Sequence, residues 1–194
     1  ASVDVVASAS RVLERRHETS AGVQVALDDR TTVGATGRDS REPDYLSDGV
    51  SLTLDRESES RDTALHLELR GRWDRVGPGW TLPERATLGS GVAAASLTRV
   101  IDRRTLLRVG IQADVLSGLQ SSVYRYVPVG DQWFAERVPE LRVRGAATVR
   151  LQHSLRPTLA VLAEYGLTTD TWGLVAHVGE VGLRAAASLT RVEH

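Results

Sequence analysis

The chain has no cysteine, no methionine and no lysine, and it is poor in aromatics, with four Trp, four Tyr and one Phe in 194 residues. Without Cys there are no disulfides, thiolate metal ligands or thiol nucleophiles. Without Met there is no native initiation residue. The simplest reading is a mature chain whose signal peptide has been removed, which fits export, although a chain cut elsewhere would look the same. Without Lys all 24 basic residues are Arg. A biased genome produces that alone, but Arg also suits a crowded lumen, because its planar fork pairs bidentately with carboxylates on neighbouring strands. No stretch approaches the ~18 consecutive apolar residues of a membrane-spanning helix.

With 41% hydrophobic and 25% charged residues and a net charge of −1, bulk composition is that of an ordinary folded domain, and one domain over residues 1–194 is expected. A membrane β-barrel has the same averages, because lipid-facing and lumen-facing residues cancel along each strand. The information lies in alternation. Leu141, Val143, Gly145, Ala147, Val149 and Leu151 interleave with Arg142, Arg144, Ala146, Thr148, Arg150 and Gln152, a period of two that specifies a strand with a different solvent on each face. After a turn at residues 154–157 the pattern restarts with Leu159, Val161, Ala163, Tyr165 and Leu167, making a hairpin. Each strand reaches the ~9 to 11 residues a tilted membrane-crossing strand needs, and the polar face carries charges that a dry core would not tolerate unpaired.

The rest of the chain reads similarly. Val3, Val5, Ala7 and Ala9 suggest a first strand, residues 13–19 a polar turn, and Ala21, Val23, Val25 and Leu27 a second strand. Residues 28–30 form a tight turn, and Thr31, Val33, Ala35 and Gly37 a weak third strand. The charged segment 38–48 with Pro43 is expected to be a loop. Val50, Leu52 and Leu54 alternate in a fourth strand. Leu65, Leu67, Leu69, Gly71 and Trp73 then alternate with Ala64, His66, Glu68, Arg70 and Arg72, with Trp73 where an interfacial aromatic is expected. Residues 74–85 read as a loop. Strands over 87–101 and 105–115 follow, the first rich in Gly and Ala and so weakly specified in register. Residues 116–139 are the longest irregular stretch, and a last strand starts at Trp172. About ten strands result, with twelve as the alternative. Short turns after 13, 28, 56, 102 and 155 alternate roughly with longer loops after 38, 74 and 116, the pattern of outer-membrane barrels.

Five segments, SREPDYLSDGV at 40–50, DVLSG at 114–118 with YRYVP at 124–128, ERVP at 136–139, and DTWG at 170–173 followed by Ala176 and His177, resemble a family of predicted outer-membrane β-barrels of unknown function in Gram-negative bacteria. Some of its members are associated with export of surface polysaccharide. The resemblance covers about residues 1–183. It implies an all-β, antiparallel, up-and-down transmembrane barrel in the outer membrane more firmly than it implies an activity. Members of that family are typically longer, and outer-membrane barrels commonly end on an aromatic residue, whereas this chain stops at His194. A small closed barrel, strands lying beyond this chain, or closure by another copy are the three expectations.

The polar constellation comprises His66, Glu68, Arg70 and Arg72 with Arg108, Asp114, Arg142, Arg144, Arg150, Gln152 and Glu164. As lumen-facing groups they form either a cation-rich constriction for anionic or polyhydroxyl cargo or an ion-pair network plugging a narrow lumen. Trp80, Tyr124, Tyr126, Trp133 and Phe134 in the long loops suit either sugar stacking or anchoring at headgroup level. The five histidines lack metal-ligand spacing, so no metal or other cofactor is expected. His66 with Glu68, or Asp170 with His177, would be the only hydrolase pairs, and alternate residues on one strand face are ordinarily just neighbours. No phosphate loop precedes a helix, and Arg does not cluster with stacking aromatics, so neither enzyme activity nor nucleic-acid binding is expected. The expected function is a non-enzymatic conduit or envelope component for polar, anionic or saccharide cargo. The expected partners are outer-membrane lipid, a polysaccharide or small anion, and a second copy or an envelope complex. A plugged scaffold that binds a partner through its loops, and a soluble ligand-binding barrel with Leu, Val and Ala inside, are the alternatives.

Overall fold

In the computed structural model, residues 15–43, 45–77, 86–121 and 126–186 are described, and all their regular structure is β. Nine strands form one antiparallel sheet in which chain neighbours are sheet neighbours: β1 (His17–Ala26), β2 (Thr31–Arg41), β3 (Tyr45–Glu57), β4 (Thr63–Val76), β5 (Ala86–Asp102), β6 (Thr105–Gly118), then, after an excursion, β9 (Leu141–Arg156), β10 (Leu159–Asp170) and β11 (Val175–Ala185). The excursion contains a separate hairpin, β7 (Tyr126–Val129) and β8 (Gln132–Ala135). The fold is therefore an up-and-down meander. Among the described residues, β1 and β11 remain the sheet's edges and do not pair with each other.

The expected strands from Ala21 onward are all present in the sheet, because each keeps a period-two pattern across a continuous ladder. The strand expected over Val3 to Ala9 lies outside the described residues. Several boundaries differ: β4 runs on to Val76 and β9 to Arg156, into the expected loop and turn, and four further differences are larger. β1 starts at His17, so Glu18 and Thr19 belong to a strand rather than a turn. The segment 38–48 is not a loop: β2 runs to Arg41 and β3 starts at Tyr45. Its charges are satisfied across and along the ladder, with Arg38 bonding Glu18 at 2.7 Å, Arg41 bonding Asp39 at 3.0 Å and Arg75 bonding Asp48 at 3.3 Å. The irregular stretch 116–139 holds the β7–β8 hairpin, turned at Gly130, whose φ is +62°. Trp172 lies in a turn rather than a strand, because Oδ1 of Asp170 accepts from the backbone N–H of Trp172 (2.9 Å) and of Leu174 (3.0 Å) and closes the chain there.

Gly118 marks where the meander is interrupted. Its φ is +110°, and a Cβ there would sit 2.2 Å from the carbonyl oxygen of Thr87, so only glycine fits. Its N–H bonds the carbonyl of Glu140 at 2.9 Å, while the N–H of Leu119 bonds that of Thr87 at 2.8 Å. The two bonds let the chain leave β6 for the hairpin and return to β9 in register.

Up-and-down topology puts connections 27–30, 58–62, 103–104 and 157–158 at one end of the sheet, and 42–44, 77–85, the hairpin excursion and 171–174 at the other. The expected long connection after residue 38 is thus short, at 42–44. The short turn expected after residue 13 begins outside the described residues.

The sheet has two unlike faces and almost no core. Among the described residues Ala160 is the single buried hydrophobic residue, while Val23, Leu52, Leu69, Ile111, Tyr165, Val181 and many like them are exposed. Among the described residues the Leu, Val and Ala side chains do not fill the inside of a barrel, as a soluble one would need, but share an open face of a single layer. The ladder rows show this: Val23, Ala35, Leu52, Leu69, Ala93, Ala113 and Gly145 lie side by side on one face. The other face presents Gln24, Thr53, Glu68 and Gln112 one residue along.

Candidate functional site

On the apolar face the hydrophobic stretch has definite ends. On β4 it runs from Leu65 to Trp73, whose ring lies against Gly71. Beyond Trp73 the same face carries Asp39, Asp48, Arg41 and Arg75, and at the opposite end it carries Arg56 and Arg99. The stretch covers Val50–Leu54 on β3, 107–115 on β6 and 159–167 on β10. Its midpoints do not follow the hydrogen-bonded rows. Leu52 and Leu69 pair directly, but by β10 the midpoint is Ala163, which pairs with Leu151 and through it aligns with Leu107, six residues from the Leu69 row at Ala113. The belt thus slides toward the short turns by a little over one residue per strand. With a rise of ~3.4 Å per residue and a strand spacing of ~4.8 Å, it crosses the strands at about 35–45° to the rows.

The opposite face carries all eleven residues of the polar constellation. His66, Glu68, Arg70 and Arg72 come from β4, Arg108 and Asp114 from β6, Arg142, Arg144, Arg150 and Gln152 from β9, and Glu164 from β10. The ladder sets Arg108 beside Arg150, Arg150 beside Glu164, and Asp114 beside Arg144. Nine of the eleven divide between two hollows. The one nearer the short turns, about 320 Å³, is lined by His66, Glu68, Arg108, Arg150 and Glu164 over small residues of β5, β6 and β9. Its charges are mostly paired within the protein. Nε of Arg150 donates to Oε2 of Glu164 at 2.6 Å, Nδ1 of His66 meets Asp55 at 2.7 Å, and Arg108 donates to the Ser96 hydroxyl at 3.3 Å.

The second hollow, about 450 Å³, lies toward the long loops, and in it four guanidiniums, of Arg38, Arg70, Arg72 and Arg144, face two carboxylates, of Glu18 and Asp114. Its lining extends from β1 to β9, so the sheet curls with its charged face inside the curve. Nε of Arg70 lies 3.1 Å from Glu68 and Nε of Arg72 lies 3.1 Å from Asp74, whose side chain is wholly shielded from solvent. Nε of Arg144 is shielded and lacks a hydrogen-bond partner among the described residues. Arg142 does not join either hollow. It bonds Asp170 (Nε to Oδ2, 2.8 Å) and stacks on the Trp172 ring at 4.4 Å, which ties β9 to the β10–β11 turn. Gln152 also lies outside both hollows, in a row with Leu106 and Leu162.

Sequence reasoning missed Glu18, Arg38, Asp55 and Asp170 as members of this charged face. Thr36, Arg38 and Ser40 continue the alternation of β2, and that signal was overridden by the charge and the proline. Of the loop aromatics, Trp80 and Tyr124 lie outside the described residues. Tyr126, Trp133 and Phe134 are exposed on the β7–β8 hairpin, away from both hollows. Among the described residues no three His, Asp or Glu side chains converge as a metal site.

The family model for the protein of unknown function DUF3570 matches residues 83–191, more than half of the chain. The chain belongs to that family. The match begins just before β5 and takes in every later strand, both β9 and β10 of the charged hairpin and the β7–β8 excursion. No curated protein matches the chain. Among solved structures, it is similar to the translocator domain of the autotransporter NalP from Neisseria meningitidis, at 14% identity and a TM-score of 0.35, over 88% of this chain and 66% of that one. The chain therefore spans slightly under two thirds of that domain's length, and a likeness this loose fixes neither strand number nor closure.

Proposed function

We propose that this member of the DUF3570 family is a bacterial outer-membrane β-barrel, a non-enzymatic conduit or envelope component whose charged inner face handles polar, anionic or saccharide cargo. The observation that carries the reading is the oblique apolar belt. Strands of a barrel tilt by 35–45° from its axis, so a flat lipid layer must cover successive strands at a register displaced by about one residue each. The belt on this sheet is displaced in that way, is bounded by charge at both ends, and carries Trp73 at its long-loop border, where an interfacial indole is stable. A single-layer sheet with one buried hydrophobic side chain among its described residues needs such a solvent to offset the cost of its exposed Leu, Val and Ile. The unpaired edges of β1 and β11 would close on each other, on further strands or on another copy, since an open edge has no partner for its backbone in lipid.

A second reading, a plugged scaffold that binds a partner through its loops, has its own support in the paired charges of the smaller hollow and the exposed aromatics of the β7–β8 hairpin. Reconstitution into planar bilayers separates them. A conduit gives stable conductance with anion preference that drops on Arg144→Gln. A membrane-resident chain without conductance favours the scaffold, and a chain monodisperse without detergent overturns both.

A further inference from the structure

We infer that the larger hollow is a binding site for a small solute bearing an oxyanion, a phosphate or carboxylate group, seated over Gly49 between Arg38 and Arg72. The inference rests on reading the charged face as wet, and it adds a defined site and ligand class to that reading.

Gly49 carries the argument. It sits inside β3, paired with Arg38 on β2 and with Arg72 on β4, so the two guanidinium side chains rise on either side of a residue with no side chain. Glycine inside a strand weakens it, and such a position often marks close approach of a ligand. Nothing in the backbone asks for glycine here. Its φ is not in the left-handed range, and an added Cβ would meet only the Gly71 carbonyl oxygen at 3.4 Å and Cγ of Arg72 at 3.8 Å, ordinary contacts. The space itself is therefore the feature. With strands ~4.8 Å apart, the flanking arginines are about 10 Å apart at their backbones, wide enough for one oxyanion to accept from both.

The surrounding groups fit that ligand. One row further along, Ser51 lies between Thr36 and Arg70, and Ser90 lies beside Arg72, which supplies hydroxyls for the polar remainder of a solute. Arg70 and Arg72 are ion-paired with Glu68 and Asp74, each Nε 3.1 Å from a carboxylate two residues along the same strand. Neither of these carboxylates lines the hollow, so the two guanidiniums face it while their counter-charges lie behind them, and Arg144 is the lining arginine without such an ion pair among the described residues. Across it, Arg144 also lines the hollow, and its shielded Nε has no acceptor among the described residues, so this guanidinium is not committed through Nε to a carboxylate of the protein. Of the two lining carboxylates, Asp114 accepts from the Gln112 amide at 2.7 Å and Glu18 from Arg38 at 2.7 Å.

The test is calorimetric titration of the full chain, refolded in detergent, with glucuronate, glucose 6-phosphate, inorganic phosphate and glucose at low ionic strength. The charged probes are expected to bind and glucose not. Arg72→Gln should weaken binding about tenfold or more, the loss of a charge-assisted pair, and Gly49→Val should abolish it with the β-sheet circular dichroism unchanged. Arg99→Gln, on the opposite face, should leave it as it was. Absence of binding by any charged probe to the folded chain overturns the site, as does glucose binding as well as glucuronate, or binding indifferent to both Arg72→Gln and Gly49→Val. Binding is read here without passage. A chain that conducts but does not bind overturns the site alone, and one that binds but does not conduct leaves the site standing and removes the conduit.

Discussion

An arginine placed on the apolar face reads out the path of the belt. Leu69 is the midpoint of the β4 stretch and is well exposed, and Thr169 lies in the same ladder row through Ala93, Ala113 and Gly145. If lipid covered the sheet parallel to its rows, the two sites would lie at equal depth. The oblique belt instead puts the β10 midpoint at Ala163, and the six residues from there to Thr169 carry it roughly 15 Å along the membrane normal for strands tilted by ~40°. That is the half-thickness of the hydrocarbon layer. Leu69→Arg and Ala163→Arg should therefore each cost about 2–4 kcal/mol, and Thr169→Arg no more than about 1 kcal/mol. Urea unfolding from lipid vesicles, followed by tryptophan emission, gives the difference as a midpoint shift of about 1 M or more. Equal costs at Leu69 and Thr169, or no cost at Leu69, would refute the oblique lipid belt.

Three further outcomes are expected. Gly118→Ala should destabilise the chain by about 1–3 kcal/mol, since a positive φ and the Thr87 carbonyl both oppose a Cβ, and differential unfolding against Gly91→Ala, an open position, checks it. Breaking the Arg150–Glu164 pair by Glu164→Gln should cost under about 1 kcal/mol, because both side chains are partly open to water; a loss of several kcal/mol would identify the smaller hollow as a dry plug. The turn carboxylates titrate below their ordinary range, Asp28 because the backbone N–H of Arg30 donates to it and Asp62 because the Ser60, Thr63 and Ser58 hydroxyls do. A depressed folded-state pKa adds stability that is complete above the unfolded value, about 3.9 for Asp, and is lost as pH falls through the lower folded value. Protease nicking at the short turns should rise only below about pH 4, and Asp28→Asn together with Asp62→Asn should flatten that rise.

How much of this was legible in the chain differs from element to element. The strands around Leu67, Val109, Val149 and Val161 could be read directly, because strict alternation has one physical meaning when two solvents are present. The top of β2 and the base of β1 could not. Arg38, Asp39 and Arg41 look like loop residues until the ladder shows Glu18, Asp48 and Arg75 beside them, since charge in a strand is tolerated where partners on adjacent strands are near. The β7–β8 hairpin was hidden by Pro128, which an edge strand of a two-stranded ribbon accepts. Parity puts the members of the polar constellation on one face of the sheet, but parity says nothing about which members meet. Arg142 is spent on Asp170 and Trp172, whereas Arg38, taken for a loop residue, faces the larger hollow, and only the register between strands decides this.

The absence of cysteine allows a single thiol to be set at either of two adjacent positions on β6, Ile111 and Gln112. In vesicles holding the folded chain, the thiol of Ile111→Cys should be closed to a water-soluble maleimide, and a fluorophore attached there should be quenched by brominated lipid. The thiol of Gln112→Cys should react with the maleimide, and its fluorophore should escape quenching. Equal reaction of both thiols with the water-soluble reagent, or quenching at Gln112→Cys rather than Ile111→Cys, would mean that lipid does not cover the apolar face.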